Sequence, residues 1–115
     1  MNENETIKEK LLDTARDMYM RLGIKSISMD DIAREMGVSK KTIYSVVETK
    51  RALVQMVIED DACRDIEVLT SNHLAARDAI DEFLRNSRYF IRQMRKISPA
   101  TMRDLQKYYP GVWKE

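Results

Sequence analysis

Apolar residues recur at spacings of three and four through Ile7, Leu11, Leu12, Ala15, Met18, Tyr19 and Leu22. That period gives a helix one buried face. Gly23 is placed to end it as a left-handed C-cap. Ser28 can cap a short helix from Met29 to Met36, with Asp30 and Asp31 favourable in its first turn and Met29, Ile32, Ala33 and Met36 on its inner side. Gly37 ends it after two turns. Val38 fills the following turn, and Ser39 caps a second short helix reaching about Val47, with Ile43, Val46 and Val47 inward. Thr49 caps a long helix from Lys50 to about Asn72, apolar along Leu53, Val54, Val57, Ile58 and Ala62. After a weak break at Asn72-His73, the pattern predicts a helix over Ala76–Ile97 with Ile80, Phe83, Leu84, Ser87, Ile91, Met94 and Ile97 on one face. Ser98-Pro99 is an N-cap followed by proline at the first helical position, and the helix after it carries Met102, Leu105 and Tyr109 until Pro110-Gly111.

This is an all-α pattern, and three glycines and two prolines leave few places to interrupt it. Hydrophobic content of 43% against 34% charged residues fits a globular chain and excludes a disordered one. No apolar run is long enough to span a bilayer, and the polar start Met1-Asn2-Glu3-Asn4-Glu5 is not a signal peptide, so no membrane partner is expected. A single cysteine, Cys63, excludes an internal disulfide and suits a reducing compartment, so a cytoplasmic protein is expected. Net charge is +1, which announces no polyanionic partner. Between Gly23 and Arg51 the basic residues Lys25, Arg34, Lys40, Lys41, Lys50 and Arg51 outnumber the acidic Asp30, Asp31, Glu35 and Glu48. The excess is modest, so any nucleic-acid reading depends on where those charges sit.

Residues 28–47 carry the functional signal. Two short helices joined by Gly37-Val38-Ser39 have the helix-turn-helix layout. Ala33 is small where the second helix crosses the first. Gly37 supplies the positive φ of the turn, where a branched side chain is also expected to wedge the helices apart. Val38 and Ile43 plug the angle between them. With these positions turned inward, Lys40, Lys41, Thr42, Tyr44 and Ser45 face outward. Two lysines and a threonine on the first turn of a recognition helix suit the major groove, where such residues meet base edges.

Residues 7–54 resemble the DNA-binding domain of TetR-type regulators. The likeness lies in Gly23, in Ser28, Ile32-Ala33 and Gly37-Val38-Ser39, in Thr42-Ile43-Tyr44, and in Lys50-Arg51-Ala52-Leu53. Val47 departs from the phenylalanine commoner there, a change in the small core and not on the DNA face. The resemblance implies a three-helix helix-turn-helix DNA-binding domain over residues 1–50. A long fourth helix would link it to a partial helical ligand-binding and dimerisation domain over residues 51–115. It implies a sequence-specific, ligand-responsive repressor that binds double-stranded operator DNA as a homodimer and responds to a small-molecule inducer. Ser28, Tyr44 and Lys50 would contact phosphates, and Ser39, Lys40, Lys41, Thr42 and Ser45 would face bases or adjacent phosphates. Met102, Tyr109 and Trp113 could border a ligand pocket. The tryptophan so near the last residue suggests a longer natural protein.

Simpler roles stand beside these. Ser28 and Ser39 are caps first, the lysine pair could be a solvated face, and Tyr44 could be packed at an edge. Cys63 is expected to be a small buried hydrophobe and His73 a surface or helix-end residue. One Cys and one His assemble no metal site, and no cofactor is expected. No phosphate loop or paired catalytic set carries chemistry, so the chain is not read as an enzyme. Arg85, Arg88, Arg92, Arg95 and Lys96 form a basic stripe, read as a solvated or salt-bridged face in preference to a second nucleic-acid surface. The apolar stripe of the same helix, with Phe83, Phe90 and Met94, is expected in the core. The alternative to a DNA-binding regulator is a helical interaction or adaptor module that shares the helix-turn-helix shape.

Overall fold

The computed structural model describes residues 3–110, and Gly111 and Trp113 lie outside them. Six helices and no strand are found among the described residues: α1 (Glu3–Leu22), α2 (Met29–Met36), α3 (Lys40–Tyr44), α4 (Lys50–Ala75), α5 (Ala79–Lys96) and α6 (Pro99–Tyr108). Local chemistry sets most of the starts. Ser39, Thr49, Asp78 and Ser98 each accept the backbone N–H three residues on, at the heads of α3, α4, α5 and α6.

The predicted face of α2 is buried, and so is that of α1 from Leu11 to Tyr19, with Ile7 and Leu12 only partly buried and Leu22 exposed. Leu11, Ala15, Met18 and Tyr19 from α1 meet Met29, Ile32, Ala33 and Met36 from α2 and Ile43 from α3. Leu53, Val54 and Val57 of α4 close this core, and Tyr109 at the end of α6 joins it from the far side. Arg16 ties α1 to α4 as well: its Nε donates to Asp61 at 2.6 Å and its other nitrogens reach Asp13 and Asp60.

Helix α6 packs its N-terminal end against the last turn of α1, where orphan carbonyls need donors. The Ser98 N–H reaches the Met20 carbonyl at 2.9 Å, and the Thr101 hydroxyl donates to that of Tyr19. Beyond Gly23, which has φ 91°, one oxygen of Asp104 accepts the N–H groups of both Ile24 and Lys25, each at 2.8 Å. From the other side the Lys50 ammonium donates to the Ile24 carbonyl at 2.6 Å. The α1–α2 corner is thus held by α4 and α6 together.

Four expectations are corrected. The second short helix stops at Tyr44, not Val47, because the Ser45 hydroxyl turns back to the Thr42 carbonyl at 2.6 Å and the β-branched pair Val46-Val47 follows. Helix α4 runs three residues past Asn72, since Asn72 donates to Asn86 at 2.9 Å and His73 pairs with Glu82 at 2.9 Å across to α5, which itself begins only at Ala79. The apolar stripe of α5 is not in the core: Phe83 is 69% and Met94 71% exposed, and no α5 residue is fully buried. The side of α5 turned to α4 is the polar one, through Glu82, Asn86 and Tyr89. Cys63 is exposed, because α1 and α5 occupy the opposite side of α4, where Asp61 and Asp65 lie.

Two outcomes follow from these contacts. Asp104→Ala strands two backbone N–H groups and should cost about 1–3 kcal/mol of unfolding free energy, whereas Asp104→Asn keeps an acceptor and should cost less; denaturant melts of the three proteins compare them. The Tyr89 phenol, which donates to Asp65, has its pKa pushed up to about 12 by that hydrogen bond first and by burial second. Since the fold favours the protonated phenol, its stabilisation is complete below pH 10.0, the ordinary tyrosine value, and is lost as the pH rises through about 12. Tyrosinate absorbance should show that late step, Asp65→Asn should bring it down, and Tyr89→Phe should remove it.

Candidate nucleic-acid interface

Helix α2 begins with a reciprocal cap. Ser28 Oγ accepts the Asp31 N–H at 3.0 Å and Asp31 Oδ2 accepts the Ser28 N–H at 2.9 Å. The Ser28 backbone N–H, ahead of its hydroxyl, holds the Asp31 carboxyl below its ordinary pKa. At the other end Gly37 sits at φ 70°, with its N–H on the Arg34 carbonyl at 3.2 Å and the Val38 N–H on that of Ala33 at 3.0 Å. A Cβ at Gly37 would meet nothing within 4 Å. A Cβ alone therefore wedges nothing apart, and the left-handed backbone angle is what calls for glycine.

Ile43 is fully buried and Val38 packs against the core, so α3 can rotate only one way. That rotation exposes Ser39, Lys40, Lys41, Tyr44 and Ser45 and leaves Thr42 half-buried. Ser39 Oγ accepts the Thr42 N–H at 3.1 Å and lies 3.0 Å from Thr42 Oγ1. The Ser45 hydroxyl donates to the Thr42 backbone carbonyl, so the hydroxyls of Ser39, Thr42 and Ser45 lie close together along α3. The Lys40 ammonium lies 3.4 Å from Asp30 across the turn, but both side chains are half-exposed or more, so the pair is weak and the lysine releasable. Lys41 is free of ion pairs among the described residues, and Tyr44 is 43% exposed.

Lys50 stands apart from this group. Its ammonium is half-buried against the Ile24 carbonyl, and burial lowers its pKa despite Asp104 and Asp31 nearby. Arg51 lies over the ring of Tyr109, 5.3 Å from its centre. Of the residues implied for a ligand pocket, Met102 does not line the cavity between α1, α4, α5 and α6, and Tyr109 lines only a shallow recess with Lys25, Lys50, Arg51 and Tyr108. Trp113 lies outside the described residues. On the basic stripe Arg85 is tied to Asp81 at 3.1 Å, while Arg88, Arg92, Arg95 and Lys96 are exposed. Among the described residues no three His, Cys, Asp or Glu side chains gather as a metal site, and no helix is long and apolar enough to cross a membrane. The corner contacts of Asp104 were invisible in the sequence, since the partners lie 80 and 79 residues away.

The two turn glycines should respond differently to alanine. Gly37→Ala meets open space and should cost only the left-handed backbone penalty, about 1–2 kcal/mol. Gly23→Ala adds a Cβ 3.1 Å from Asp104 Oδ2 and 3.2 Å from the Ala100 Cβ, so it should cost more and loosen α6. Equal losses of melting temperature would contradict this ranking.

Residues 11–57 match the family described as bacterial regulatory proteins, tetR family. No curated protein and no solved structure matches the chain. The matched segment runs from the first buried leucine of α1 through the helix-turn-helix to the last buried valine of α4, the region whose core sets the rotation of α3. Over this segment the chain is similar to the helix-turn-helix domain of the tetR family of bacterial regulatory proteins.

Proposed function

We propose that this chain reads a specific operator in duplex DNA as one half of a symmetric homodimer and acts as a ligand-responsive repressor. The observation that carries the reading is the outer side of α3, where buried Ile43 forces Lys40, Lys41 and Tyr44 outward beside the hydroxyls of Ser39, Thr42 and Ser45. Lys41 and Thr42 read base edges, Lys40 leaves Asp30 for a base or phosphate, and Ser28 and Tyr44 set register through phosphates. Lys50 serves first by holding the α1–α2 corner, and its positive charge adds to the phosphate attraction. Two such units about 34–36 Å apart would engage successive major grooves. The likeness to TetR-type repressors supports repression and release by a small molecule bound to the helices after α3. The exposed, unpaired Cys63 suits a cytoplasmic setting.

Binding to a palindromic duplex should weaken steeply with salt. A dimer with about six to ten phosphate contacts loses about 10³–10⁵-fold in affinity between 50 and 200 mM salt. Tyr44→Phe should weaken all sequences alike, while Lys41→Ala and Thr42→Ala should change which sequence is preferred. Fluorescence anisotropy over a salt series measures both effects, and a flat series would favour a helical adaptor module instead.

A further inference from the structure

We infer that the recess between the α1–α2 corner, the head of α4 and the end of α6 is a seat for a phosphate group, built by Lys25, Arg51, Lys107 and Tyr108. The recess is shallow and open, measures about 230 Å³, and is lined by Lys25, Lys50, Arg51, Tyr108 and Tyr109. Cations from three separate stretches of chain converge on it. Lys25 comes from the corner, Lys50 and Arg51 from α4, and Lys107 stands over the Tyr108 ring from α6. Among the described residues none of these four forms an ion pair, whereas Arg16, Arg64 and Arg85 on the other helices all do. The carboxylates that act on Lys50 are already engaged: Asp104 accepts the Ile24 and Lys25 N–H groups, and Asp31 caps α2. The positive charge is left for a partner.

The cations are also held in place. Arg51 Nη1 donates to the Tyr108 carbonyl at 3.3 Å, while the guanidinium lies 5.3 Å from the centre of the Tyr109 ring. Lys25 and Lys107 stand 5.6 and 5.3 Å from the centre of the Tyr108 ring. Side chains fixed in this way lose less freedom when an anion arrives. Arg51 keeps further N–H groups for a forked contact with phosphate oxygens, the lysines add point charges, and the exposed Tyr108 phenol adds an O–H donor. Lys25 first and Lys107 after it draw that phenol below its ordinary pKa, as a positive field does. The group can arrive on a DNA backbone or on a free phosphorylated molecule. Position favours the backbone: Lys50 feels Asp31, the capping partner of Ser28, so the recess borders the head of α2, and it is too open to enclose a small molecule. This rests on the reading of a DNA-binding regulator and extends its footprint to α6, but phosphate is titrated without DNA, so either can fail alone.

The test titrates inorganic phosphate into the full chain at constant ionic strength, in exchange for chloride, and follows the backbone amide NMR shifts. Saturable shifts at Lys25, Arg51, Lys107 and Tyr108 are expected. Lys25→Ala combined with Lys107→Ala changes two exposed side chains, should melt like the parent, and should weaken phosphate binding about ten-fold or more. Arg88→Ala combined with Arg92→Ala removes the same charge from α5 and should leave binding unchanged. Absence of saturation, unchanged binding without Lys25 and Lys107, or an equal loss in the α5 variant would overturn the assignment. Fluorescence anisotropy with a palindromic duplex separates the two sources. A seated backbone phosphate requires that loss of Lys25 and Lys107 make the salt slope shallower by about one per protomer, for every sequence alike. An unchanged slope alongside lost phosphate binding upholds the seat and assigns it to a free phosphorylated molecule.

Discussion

The connection between α1 and α2 is where the fold must satisfy backbone groups that no helix serves. The chain leaves α1 at Gly23 and does not enter α2 until Ser28, so the peptide groups around Ile24 need partners from elsewhere. They find them on two helices. Asp104 of α6 accepts the Ile24 and Lys25 N–H groups, and Lys50 of α4 donates to the Ile24 carbonyl. A carboxylate and an ammonium on opposite ends of one residue make charge-assisted bonds, stronger than neutral ones. Because α2 follows directly, the direction of the helix-turn-helix is tied to these contacts.

From the corner outward the geometry is set by small residues and plugs. The left-handed Gly37 and the buried Ile43 fix how α3 lies on α2, and so fix which of its five residues face solvent. Little charge is spent on the outer side of α3 itself. Its cations are Lys40, loosely paired with Asp30, and Lys41; the Ser39 and Thr42 hydroxyls bond to each other, and that of Ser45 donates to the Thr42 carbonyl. Such a surface offers hydrogen-bond donors and acceptors more than a strong field, in keeping with the small net charge.

Helix α5 inverts the usual arrangement of an amphipathic helix. Its contacts with α4 are polar, from Tyr89 to Asp65, Asn86 to Asn72 and Glu82 to His73, and its apolar stripe faces outward. Directional hydrogen bonds to α4 fix the rotation of α5. The same polar seam leaves room behind it for the cavity against α1 and α6.

The sequence by itself determined the local features: the faces of α1 and α2, the caps at Ser28, Ser39, Thr49 and Ser98, and the left-handed turns at Gly23 and Gly37. It also showed that Ile43 points inward and the α3 lysines outward. These are legible because helix period, capping and glycine geometry act over three or four residues, within reach of a one-dimensional pattern. Only the tertiary structure decided the fate of Lys50, the role of Asp104, the exposure of Cys63 and the orientation of α5. A periodic apolar stripe says that a helix has a greasy side, not what that side meets. A carboxylate that satisfies backbone groups 80 residues away leaves no mark in the spacing around it. Tyr19 shows both limits at once: its ring obeys the apolar period of α1, while its hydroxyl is buried with no hydrogen-bond partner among the described residues.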